Sequence, residues 1–102
     1  MEIIRGTTPS IIYKFDIIEP ENISVCYLTI KQKCETIIEK TLQDAVVTSE
    51  SITFRLTQQD TLKLVSPYTC QIVLDWKTTS GIRGRSEIVE CGVNPPGKDE
   101  VI

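Results

Sequence analysis

The chain has 102 residues, enough for one domain that buries roughly two thirds of its unfolded surface without a metal or a disulfide. Its 11 Lys and Arg are scattered among 14 Asp and Glu for a net charge of -3, so composition offers no phosphate-neutralising basic face and no nucleic-acid partner is expected. The absence of histidine removes Ser-His-Asp and Cys-His catalysis. The four cysteines form no CxxC pair, so neither a catalytic site, a cofactor site nor a metal site is expected.

The N-terminal MEIIRGTTPS carries Glu2 and no long apolar run, which is the pattern of neither a signal peptide nor a membrane span. No membrane partner follows from it, and the expected compartment is a cytoplasm, where Cys26, Cys34, Cys70 and Cys91 are read as free thiols. Pro9 to Ile18 alternates, with Ile11, Tyr13, Phe15 and Ile17 on the buried side of a strand. Pro20, Glu21 and Asn22 mark a turn, and Ile23 to Lys33 alternates again with Cys26, Leu28 and Ile30 inward. TIIEKTL (36–42) reads as a β-branched strand and AVVTSES as a weaker one. SITFRLT puts Ile52, Phe54 and Leu56 on one face.

The next stretch, LTQQDTLKL, breaks the strand rhythm. Thr57 with Asp60 three residues on is a capping-box pair, and Ser66-Pro67 stops continuation, so one helical turn fits, with Leu62 expected to plug the open end of the core. YTCQIVLDW then aligns Tyr68, Cys70, Ile72, Leu74 and Trp76, with Cys70 expected beside Trp76 in the core. KTTSG is a hairpin loop, and Arg83 to Val93 is the last strand, with Val89, Cys91 and Val93 opposed to Ile88. The glycines of SGIRGRS lack the lysine and helix of a phosphate loop and instead shape a hairpin and bulge. Glu19 and Glu21, like Asp99 and Glu100, read as solvated loop carboxylates. Arg83 and Arg85 read as a solvated strand edge, with an acidic partner as the alternative.

Short strands separated by turns, with one helical crossover, predict an all-β antiparallel Ig-like sandwich of about seven strands over residues 1–94 and a polar tail over 95–102. Asp60, Tyr68 and Cys70 resemble the turn, tyrosine corner and second core cysteine of immunoglobulin domains. Trp76 follows Cys70 and no Trp stands between Cys26 and Cys70, so the antibody-type disulfide is not expected.

Three segments together carry a closer resemblance: Arg5-Gly6-Thr7 before the strand that ends in Phe15-Asp16-Ile17, ITFRLTQQDTLKL, and QIVLDWKTTSGIRGRSEIVECGV with Ser86 on its far strand. They resemble the N-terminal domain of phage and prophage baseplate upper proteins, from which the chain departs at Thr7-Thr8-Pro9, where an acidic residue is common. The resemblance implies a noncatalytic structural protein of a phage or prophage tail or baseplate, assembled in the bacterial host cytoplasm into a virion. Its implied partners are other virion proteins or copies of itself, with no small-molecule substrate. Open strand edges, with the outward apolar residues Ile12, Val25, Val73 and Ile88, are the expected contact surfaces. The alternative is a stand-alone Ig-like recognition module for carbohydrate or protein.

Overall fold

A computed structural model describes residues 2–102. Among these residues nine strands form two sheets: β1 (Glu2–Ile4), β2 (Ser10–Lys14), β3 (Ile23–Gln32), β4 (Glu35–Thr41), β5 (Ala45–Val47), β6 (Ser51–Arg55), β7 (Cys70–Thr78), β8 (Arg83–Arg85) and β9 (Val89–Asn94). The first sheet runs β1-β9-β7-β3-β4 with β8 also on β7, and the second runs β2-β6-β5. All pairings are antiparallel except β1 with β9. The expected all-β sandwich is therefore present.

The period-2 residues fill the space between the sheets, as burial of the apolar side of each strand requires. Cys26, Leu28 and Ile30 of β3, Ile52 and Phe54 of β6, and Cys70, Ile72 and Leu74 of β7 all lie in one buried cluster. Ile3, Ile11, Ile23, Ile38, Leu56, Leu64, Cys91 and Val93 belong to it as well.

Several expectations change. Ile17 does not continue the face of Ile11: it is 98% exposed, because β2 ends at Lys14 and the chain bends toward the 3-10 turn at Pro20–Asn22. Glu2–Ile4 forms a strand that the alternation did not announce, with Ile3 buried. The last strand is split, since residues 86–88 interrupt the pairing to β7 between β8 and β9, and the Ser86 hydroxyl accepts from Leu74 N–H at 2.9 Å in the gap. Val73, expected as outward contact area, is buried.

The polar interruption LTQQDTLKL folds as predicted into one turn, α1 (Gln58–Leu62). Thr57 Oγ1 accepts from Asp60 N–H at 3.1 Å while Asp60 Oδ2 accepts from Thr57 N–H at 2.9 Å, a closed capping box. Leu62, however, is only half-buried, and the plug is Leu64 together with Thr61. The reason is the period: Asp60, Thr61 and Leu64 are three and four residues apart and share the inner side of a helical turn, a relation that a strand's alternation does not give. Thr61 Oγ1 donates to Thr7 O at 2.8 Å and accepts from Gly6 N–H at 2.9 Å, which ties the β1–β2 connection to the turn.

Tyr68 is not a buried tyrosine corner. β7 starts at Cys70, and Tyr68 is 47% exposed with the Lys33 ammonium 3.7 Å from its ring centre. Cys70 is in the core but lies opposite Cys91, while Trp76 lies opposite Cys26 and Gly84. Register decides this: six residues along β7 separate Cys70 from Trp76, so sharing a face does not make them neighbours. The segment 95–102 folds back on the turn, with Gln58 Nε2 donating to Ile102 O at 3.0 Å, Gln58 Oε1 accepting from Ile102 N–H at 2.7 Å, and Arg5 paired to Asp99 at 3.2 Å.

Candidate functional site: an open strand edge

Whether a strand pairs on one side or both is set by its neighbours in space, and among the described residues β2 has a neighbour on one side only. Its bonds to β6 include Leu56 N–H to Pro9 O at 2.9 Å and continue past the strand with Phe15 N–H to Glu50 O at 3.3 Å. These two bonds fix the phase of the ladder, so that the odd residues bond β6 while Ser10, Ile12 and Lys14 turn their N–H and C=O groups the other way. β1, the strand before it, is not there to take them, because it pairs with β9 in the opposite sheet.

Side chains add apolar area to this free backbone. Ile12 is 57% exposed on the outer face, and Val89 of β9, in the other sheet, is 42% exposed. Between them runs a groove of about 260 Å³ lined by Ser10, Ile11, Ile12, Tyr13, Ile72 and Val89. Burial raises Tyr13 above the usual phenol value, partly offset by a hydrogen bond with Ser86, so the ring is neutral near the groove floor.

Other edges of the sandwich carry protection of the kind that discourages pairing. β4 carries Glu35, Glu39 and Lys40 and lies against a bulge at Ile30/Lys31; β1, β5 and β8 are three residues long, and β8 ends in arginines at both positions. β2 is five residues with one charge, Lys14, at its end.

A second depression of about 230 Å³ lies on the outer face of the larger sheet, among Val25, Tyr27, Asp75, Trp76, Lys77 and Arg83. Asp75 is engaged by Arg85 at 2.8 Å, whereas Lys77 and Arg83 form no ion pair among the described residues. Of the four outward residues expected as contact area, Ile12, Val25 and Ile88 are exposed and Val73 is not.

Titratable groups elsewhere do structural work. Burial alone would push Asp60 up, but hydrogen bonds from Lys40 and from the Thr57 amide and hydroxyl, with the Lys40 charge at 2.8 Å, hold it below the ordinary carboxylate value. Burial raises the Cys26 thiol to about 11. Burial, with the charge and hydrogen bond of Cys91, raises Cys70 to about 12. The described residues contain no group of three or more His, Cys, Asp or Glu placed to hold a metal, and no helix long and apolar enough to cross a membrane. No protein-family profile, curated protein or solved structure matches the chain.

Proposed function

We propose that this chain is a noncatalytic structural protein of a phage or prophage particle, in its tail or baseplate, and that it works by joining neighbouring virion proteins or copies of itself along an open strand edge. The observation that carries the reading is the β2 edge: three residues of unpaired backbone beside Ile12, Val89 and an apolar groove. Strand addition takes affinity from main-chain hydrogen bonds and selectivity from pockets for alternate side chains, and this edge offers both. The sequence segments around Arg5-Gly6-Thr7, ITFRLTQQDTLKL and QIVLDWKTTSGIRGRSEIVECGV support the placement in a baseplate. The strand order is also compatible with an Ig-like arrangement, in which β3, β7 and β9 make the core of one sheet and β2, β6 and β5 the other. Assembly takes place in the bacterial host cytoplasm and the finished location is the virion.

Mass spectrometry of purified particles tests this reading: the chain is expected among tail components after induction of the host. Its presence in the lysate and absence from every particle fraction would overturn it.

The depression around Tyr27 favours a second reading, a recognition module for carbohydrate or protein, because an aromatic face stands there beside two cations with no ion-pair partner. Under that reading Tyr27→Ala abolishes binding to a glycan or protein ligand while Ile12→Lys leaves it unchanged.

A further inference from the structure

We infer that the β2 edge is self-complementary and joins two copies of this chain about a two-fold axis, β2 against β2, with Ile12 facing Ile12. The inference rests on the assembly reading and names the partner at the same edge.

The phase of the ladder supplies the first argument. Within β2 the free N–H and C=O groups stand on Ser10, Ile12 and Lys14, so an incoming antiparallel strand must meet even-numbered residues with residues that turn their backbone groups outward in the same way. A second β2 centred on Ile12 does this. Ser10 meets Lys14, Ile12 meets Ile12 and Lys14 meets Ser10, three pairs that each exchange two hydrogen bonds. A two-fold interface requires that one patch complement itself, and this register meets that condition.

The side chains agree with the backbone. On the outer face the two Ile12 side chains, each 57% exposed in the single chain, cover one another. On the inner face Ile11 of each copy meets Tyr13 of the other at the groove that Ile72 and Val89 line. Lys14 falls opposite Ser10 and Asp16 opposite Thr8, so no like charges stand face to face. The result is one continuous sheet in the order β5-β6-β2-β2-β6-β5, ended on each side by the three-residue β5, which is too short to extend it readily.

Sedimentation velocity on the full chain over a concentration series tests the pairing, with Ile12→Lys as the variant because Ile12 is exposed and contributes nothing to the core. The expected result is a monomer–dimer equilibrium whose dissociation constant rises at least about tenfold in Ile12→Lys, with circular dichroism unchanged and Tm unchanged at concentrations where the parent chain is monomeric. Disulfide trapping fixes the register. In a Cys34→Ser background, Ile12→Cys forms a covalent dimer under mild oxidation, and Lys14→Cys forms one only when mixed with Ser10→Cys. A chain that is monomeric at all concentrations, a dimer that Ile12→Lys leaves intact, or trapping of Lys14→Cys with itself would each overturn the pairing. A monomer that is nevertheless found in purified particles overturns the two-fold pairing and leaves the assembly reading standing; a β2 dimer absent from particles does the reverse.

Discussion

Gly84 stands opposite Trp76 across the β7–β8 ladder, and a Cβ built on it would lie 2.7 Å from the indole Cε2. The indole occupies the space that any other residue at position 84 would need, and it meets Phe15 edge-on at 5.4 Å between ring centres. Gly84→Ala is therefore expected to destabilise by about 1 to 3 kcal/mol through overpacking, and Trp76→Ala by about 3 to 5 kcal/mol through loss of a large aromatic. Urea titration of the two single variants and the double variant checks the coupling. Once the indole is gone, Gly84→Ala should cost well under its single-variant value, and additive losses would show that the two do not compete for space.

The Lys40–Asp60 pair sets a pH limit. Asp60 has a folded-state value below its ordinary 3.8, so it contributes stability that is fully present above about pH 4 and is lost as pH falls through the lower folded value. Urea midpoints measured from neutral pH down to pH 3 should fall less steeply in Asp60→Asn than in the unmodified chain. Parallel curves would show that another carboxylate governs the acid limb.

Thiol chemistry separates one cysteine from three. Cys34 is exposed at a hairpin tip, while Cys26, Cys70 and Cys91 are buried, and burial keeps Cys26 and Cys70 protonated far above neutral pH. A thiol reagent should label one site in the native protein and four after denaturation without reductant. More than one native site, or fewer than four denatured ones, would contradict this arrangement. Because the folded values of about 11 and about 12 lie above the ordinary 9.0, the same groups favour folding below pH 9 and withdraw that support as pH rises through the folded values.

The order of losses around α1 is a separate check. Leu64→Ala should cost about 2 to 5 kcal/mol, since Leu64 is 1% exposed at the end of the core, and Thr57→Ala about 0.5 to 2 kcal/mol through the lost cap. Leu62→Ala should fall below Leu64→Ala. Equal or reversed losses at positions 62 and 64, read from thermal or urea unfolding, would mean that the turn packs its other side inward.

These residues also show what the chain alone discloses. β3, β6 and the inward side of β7 are legible because strict alternation over several residues leaves one arrangement that buries the apolar face. The α1 cap is legible because Thr57 and Asp60 interact locally. Leu64 was hidden by a change of period within five residues. β1 was hidden by its length and by a partner ninety residues away, Glu2 beside Gly92. The open side of β2 follows from that same distant pairing: alternation says which way Ile12 points, and says nothing about whether a strand lies beside it.

Gln32, buried at 4% exposure, reaches out of β3 and grips the stretch before β7: its Oε1 accepts from Val65 N–H at 2.8 Å and its Nε2 donates to Val65 O at 2.9 Å and Tyr68 O at 3.2 Å. One carboxamide thus replaces a neighbouring strand for a segment without regular structure. In deuterated solvent the Val65 amide should exchange at a rate close to those of the β3–β7 ladder rather than with the exposed loop amides around it, and Gln32→Ala should release it to the fast class. Opening of this loop requires that the Gln32 carboxamide let go, so Gln32→Ala should also speed cleavage by a protease between residues 63 and 69.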